Sequence, residues 1–249
     1  LGGGVIDANL GAGTLTTTGG VTTLNGTSGA ATVNLAAGAL VLGGVNRLLT
    51  TGTVNQSGTG GLGINGFNTT IGALTGAGNG ITSASAATLT VGDTSSTTYG
   101  GVISNLVSLA KQGTGTLTLG GANTYSGGTS VTGGTLVAGN ASAFGSGTLS
   151  IGTGAQVSLG TLGVGVSTLN LNGGSLGGGT LTAGVYNLSG GNVSSVLGSG
   201  VVNQLANAST LSAAVGAGQI TVGGGTLQLN GAAGSVTAVN VNSGGTLAL

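Results

Sequence analysis

The chain has 249 residues, 60 of them glycine, and only four charges, Asp7, Arg47, Asp93 and Lys111. Proline, cysteine, histidine and methionine are absent, so collagen, which needs proline and glycine at every third position, is excluded, as are disulfide frameworks and thiolate metal sites. Disorder is excluded too, because 39 % of the residues are hydrophobic and the net charge is zero, the reverse of a disordered composition.

Runs of Thr, Val, Ile and Leu punctuated by Gly and Asn predict short strands and tight turns from one end of the chain to the other. The first clear strand is TLTTT at 14–18, and Asn25-Gly26 marks a turn after it. The most apolar stretch, LAAGALVLGGV at 35–45, has 11 residues, short of the ~20 that span a bilayer. Five aromatic residues in all cannot build the two girdles of a membrane barrel. Positions 40–85 follow the pattern poorly. Within them GLGING at 61–66 matches GxGxxG, but no helical pattern follows it. The VGD at 91–93 does not recur, which excludes calcium-binding nonapeptides.

From there a Thr-Leu pair recurs at 88, 116, 135, 148, 168, 180, 226 and 246, as it does earlier at 14. The gaps 116 to 135, 148 to 168 and 226 to 246 are 19, 20 and 20. TLNLNGG at 168–174 and TLQLNGA at 226–232 lie 58 apart, near three periods. The gap of 13 from 135 to 148 fits a step to another face of the same coil. Self-similarity at this period predicts a solenoid. In TLTL, TLNL and TLQL the leucines share one side of a strand and the polar residues the other. Gly and Asn at Asn172-Gly173 and Asn230-Gly231 accept positive φ and turn the chain at little steric cost. The predicted fold is all-β, a parallel β-helix of about 20 residues per coil and about 12 coils, near 60 Å long. Leu, Val and Ile ladders fill its inside and Thr, Ser and Asn ladders cover its outside. The chain opens on LGGGVI and closes on GGTLAL, inside its own pattern. It reads as a single solenoid over 1–249, a window of a longer chain.

The segment GTGTLTLGGANTYSGGTSVTGGTLVAG, 113–139, resembles the passenger-associated repeat of bacterial autotransporters. A glycine-flanked TLTL precedes the core Asn123 to Thr129, and a valine strand and a GGTL strand follow. GVISNLVSLAKQG at 101–113, with Lys111 before the glycine, resembles the usual lead-in, so the best-matching repeat is 101–139. The resemblance implies a right-handed β-helix passenger, export through the outer membrane, an extracellular or cell-surface location, and a role in adhesion or aggregation. It marks Asn123, Tyr125, Gly127, Gly128 and Thr129 as the repeat signature. Tyr125 reads as a corner residue packed across a turn with a wet hydroxyl, or else as an exposed platform for a sugar. Asn123 and Gly127-Gly128 read as the turn itself. Tyr99 and Tyr186 have similar settings, and Phe67 and Phe144 read as core or corner fillers.

The residue inventory bears on function. Without histidine or cysteine, Ser–His and Cys–His mechanisms are excluded within this chain. The two acids, Asp7 and Asp93, are 86 residues apart, about four coils or 20 Å along the rod, too far to act as a glycosidase pair. Lys111 is followed by Gln112, so no phosphate loop forms. Two cations cannot make a nucleic-acid stripe. The four charges read as scattered surface or coil-end residues. No enzyme activity, catalytic residue, cofactor, metal, nucleic acid or membrane span is predicted. What remains is a rod that lacks the like-charge repulsion that normally keeps proteins apart. The expected function is a structural or adhesive surface stalk or fibre subunit. It would associate with copies of itself, laterally or end to end, and have a host or cell-surface glycan or protein as a further partner. The alternatives are a solenoid that binds a glycan or an ice surface, for which the threonine array reads as out of register, and a passive spacer presenting a functional tip.

Overall fold

A computed structural model of the chain describes residues 1–92, 94–216, 218–234 and 236–249. Every strand in it pairs in parallel with the strand one coil away, giving an all-β parallel solenoid, with no helix among the described residues, of about 13 turns and about 19 residues per turn. At about 4.8 Å per coil the rod is about 60 Å long. Coil length is not uniform. The step from Tyr186 to Val202, its partner one coil on, is short, whereas the step from Leu40 to its partner Leu62 is long. Corners therefore absorb the variation while the strands keep register.

Three ladders run along the rod. The first passes through Thr53–Gln56, Ala73–Gly76, Thr97–Tyr99, Thr116–Leu119, Thr135–Ala138, Gln156–Ser158 and Ser175–Gly177, and ends at Gly245–Ala248. The second passes through Thr69–Ile71, Thr129–Val131, Thr148–Ile151, Val201–Gln204 and Gln219–Val222. The third is marked by Leu40, Leu62, Ile81 and Ile103 in register, and further along by Val164, Leu181, Leu197 and Val215. Near the start two fifteen-residue strands, Leu10–Leu24 and Ser28–Leu42, each carry two ladder segments and bend between them, where their mutual register shifts.

Alternation sorts the residues. In Thr116–Leu119 the leucines are buried and the threonines half-buried. Leu117, Leu136, Val157, Leu176 and Val193 stack one above another inside, all within one continuous apolar core. Each such side chain contributes roughly 1.5–3 kcal/mol by leaving water. Outward asparagines tie coils together. Asn55 donates to Asn34 (3.2 Å) and Thr75 to Asn55 (3.1 Å). Asn187 donates to Asn170 (3.0 Å) and Asn203 to Asn187 (3.1 Å).

The spacing of Thr-Leu pairs places the strands correctly over one period. Thr116 pairs with Thr135, Thr148 with Thr168 and Thr226 with Thr246. The step of 13 from 135 to 148 does change ladders. The three-period reading of 168–174 against 226–232 is wrong. Leu169 stacks on Tyr186, Val202 and then Ile220, while Leu227 belongs to the first ladder with Leu247. The coils in between are all shorter than the average turn, so a distance that looks like three periods lands on a different side of the triangle. Positions 40–85, faint in the sequence, are fully coiled. Threonines align only over short runs, and asparagines and Ala73 break the array. Thr14, Thr32 and Thr53 align in one column, and Thr16, Asn34, Asn55 and Thr75 in the next.

Candidate functional site

The repeat signature sits where the third ladder crosses into the second, and it points inward. Asn123 is buried. Its side-chain oxygen accepts from the Ile103 amide of the coil before (2.8 Å), and its amide donates to the Ala143 carbonyl of the coil after (2.6 Å). One side chain thus joins three coils at a point where 120–128 carries no regular strand. Tyr125 is fully buried, and its hydroxyl hydrogen-bonds Thr129 Oγ1. Thr129, itself buried, also reaches the Phe144 carbonyl at 3.2 Å. Gly128 has φ +90°, and a Cβ there would lie 2.9 Å from the Thr148 carbonyl oxygen. A Cβ on Gly127 would lie 2.2 Å from Ser108 Oγ. The two glycines let the chain turn while pressed against both neighbouring coils.

The expectation that Tyr125 keeps a wet hydroxyl is therefore overturned, as is the platform alternative: the ring is sealed inside. Burial raises its hydroxyl pKa well above the ordinary 10, with the Thr129 bond pulling the other way. Tyr99 and Tyr186 are also fully buried. Tyr99 donates to Gln56 Oε1 (2.6 Å), reaching past Gly76, which lies between them in the ladder. Gln56 in turn donates to the Gly80 carbonyl (2.8 Å). Tyr186 accepts from the Ala183 amide (2.9 Å) and donates to the Leu181 carbonyl (3.0 Å). Burial raises both hydroxyls as well. Phe144 is core, and Phe67 is half-buried at a corner.

The charges divide. Asp7 is exposed and accepts from Asn25 Nδ2 (2.7 Å). Arg47 is half-buried. Asp93 lies outside the described residues. Lys111 corrects the surface reading: it is 2 % exposed. It occupies an inward position between Val91 and Val131, and its ammonium donates to the carbonyls of Gln112, Gly113 (3.2 Å) and Gly133 (3.4 Å). The parity was readable, since Val107, Leu109 and Lys111 alternate on one side. Gln56 in TVNQ and Gln204 in VVNQ are inward by the same count, and both are buried.

The outside is a set of uncharged columns. Thr116, Thr135, Gln156, Ser175, Asn192, Thr210 and Gln228 align along the first ladder. Ser130, Ser150, Asn170, Asn187, Asn203, Thr221 and Asn240 align along the second. The chemistry such faces offer is hydrogen bonding by neutral hydroxyls and amides.

Residues 109–138 match the family described as passenger-associated-transport-repeat. The chain is also similar to the adhesin BmaC autotransporter of Brucella suis biovar 1 (strain 1330), with 30 % identity over 152 residues. That alignment covers 60 % of this chain and 4 % of the relative, so the chain spans a small fraction of the protein it matches. No solved structure matches the chain. The repeat, the similarity to the Brucella adhesin and the parallel solenoid together support an autotransporter passenger domain.

Proposed function

We propose that the chain is a non-enzymatic rod of a bacterial surface protein, exposed outside the cell, that mediates adhesion by side-to-side association with copies of itself. The observation that carries this reading is the pair of long, in-register, uncharged columns on the first and second ladders. Two such faces meet without like-charge repulsion, and neutral hydroxyl and amide side chains hydrogen-bond across them. The similarity to an adhesin supports the same reading. An ice surface demands an unbroken array, and Ala73, Val137 and Gly177 interrupt this one, so that alternative is not carried further.

The test is electron microscopy and sedimentation of the 249-residue chain over a concentration series. Paired or bundled rods about 60 Å long are expected, with association unchanged as salt rises from about 0.01 to 1 M and the screening length falls from roughly 30 to 3 Å. Rods that stay single at every concentration would overturn self-association and leave a passive spacer. Association that salt abolishes would contradict the neutral-face mechanism.

A further inference from the structure

The two long columns differ at one height along the rod. On the second ladder Asn170, Asn187 and Asn203 bond one another. On the first ladder Ser175 separates Gln156 from Asn192, so the two amides are two coils, about 10 Å, apart. Both are exposed, and neither side chain hydrogen-bonds another described residue. The adjacent column carries Ser158 and then Gly177, with Ser194 Oγ only 3.2 Å from where a Cβ on Gly177 would be. The missing side chain at Gly177 leaves a depression of about 400 Å³, lined by Thr135, Gln156, Ser158, Ser175, Asn192 and Ser194 among others. That volume lies in the lower part of the usual range for small-ligand sites, roughly 300–1,000 Å³.

From this juxtaposition we propose that the depression over Gly177 binds a neutral saccharide, with the Gln156 and Asn192 amides gripping hydroxyls of two successive sugar units. The chemistry selects that class. Each amide offers two donors and an acceptor, and each serine or threonine hydroxyl both donates and accepts, which matches the mixed character of a sugar hydroxyl. Among the described residues no charged side chain lines the depression, and the Lys111 ammonium is held inside the rod by the carbonyls of Gly113 and Gly133, so the lining itself selects a neutral ligand. The three tyrosines are buried, so recognition here proceeds through hydrogen bonds along the chain of sugars and not by stacking. The span of about 10 Å between the amides suits two linked pyranose rings better than one. An open site with few apolar contacts gives weak binding, with dissociation constants of about 0.1–1 mM. The site needs only a folded rod, and it works whether or not rods pair laterally.

The experiment is saturation-transfer NMR and calorimetry of the 249-residue chain, at concentrations where sedimentation shows single rods. The probes are cellohexaose, mannohexaose and chitohexaose, with a heparin hexasaccharide as the sulfated comparison. At least one neutral hexasaccharide is expected to bind in the stated range. Gly177→Val fills the floor of the depression from an outward strand position whose only near neighbour is Ser194 Oγ, and should weaken binding by about tenfold or more. Gln156→Ala and Asn192→Ala, on exposed side chains, should each weaken it about tenfold and carry the test should Gly177→Val lower the melting temperature. Binding of no neutral probe, binding of heparin alone, or equal affinity in all three folded variants would overturn the proposal. Lateral pairing that persists when sugar binding is absent would still leave the rod–rod reading standing.

Discussion

Replacing Asn123 by alanine isolates what the repeat signature does. Asn123 holds the Ile103 amide at 2.8 Å and the Ala143 carbonyl at 2.6 Å, both in the interior. The truncation leaves two buried backbone groups without these bonds. Each orphaned group costs roughly 1–3 kcal/mol, so Asn123→Ala should lose about 2–6 kcal/mol. Asn187→Ala is the control: it also removes two inter-coil hydrogen bonds, to Asn170 and Asn203. Its site is half-buried, and the freed amides can turn to water, so its cost should stay below about 1.5 kcal/mol. Guanidinium unfolding followed by circular dichroism reads the difference in stability, and hydrogen exchange at the Ile103 amide reads its location. Protection of Ile103 should fall by one to two orders of magnitude in Asn123→Ala, about what 1.4–2.8 kcal/mol of local opening gives. If Asn123→Ala costs no more than Asn187→Ala, or Ile103 keeps its protection, the inward asparagine is not the clamp between coils.

The strand parity is tested at neighbouring positions: Leu117→Asp should cost about 3–5 kcal/mol by putting a carboxylate into the core, whereas Thr118→Asp, which points outward, should stay within about 0.5 kcal/mol, as thermal melts of the two would show. Gly128→Ala should lose about 1–3 kcal/mol, because φ is +90° and the new methyl meets the Thr148 carbonyl; an unchanged melting temperature would refute the tight turn. Stability should fall in alkali. Tyr99, Tyr125 and Tyr186 hold their protons more tightly folded than unfolded, so their contribution is complete below pH 10. Above it the unfolded chain ionises first, and Tyr99 and Tyr125 each remove up to about 1.4 kcal/mol per pH unit, with Tyr186 acting in the same direction. Denaturant melts between pH 9 and 12 check this, and Tyr125→Phe should shallow the slope by one tyrosine's share.

The solenoid was legible because its two signals are local. Alternation in TLTL sets which side is inside, and Gly-Gly or Asn-Gly pairs set where the chain turns, so single-period pairings such as Thr116 with Thr135 came out directly. Longer inferences failed because corners vary: small differences from coil to coil accumulate until Leu169 and Leu227 land on different ladders. The polar interior was harder to see for a different reason. Tyr125 and Lys111 are types that usually reach water, and type outweighed parity, although Lys111 falls on the same alternate positions as Val107 and Leu109; Gln56 is a third such type, inward by the same count. Lys111 is kept inside by the turn carbonyls of Gly113 and Gly133, Tyr125 by Thr129 Oγ1 and Gln56 by Tyr99 and the Gly80 carbonyl, and a strand pattern does not announce those partners. The depression over Gly177 was invisible because it depends on which outward residues from three coils become neighbours.

The uneven coils have a mechanical side. Each coil is held mainly by its two neighbours, and the length of chain between register partners varies, as Tyr186–Val202 and Leu40–Leu62 show. Pulled from one end, such a rod has no single clamp that must break before all else yields. It can peel one coil at a time, each step releasing about 55–80 Å of extended chain, and rewind when the load drops. A tether of this kind lengthens under shear in small increments of unequal size, spreading a sudden tug over many modest ruptures.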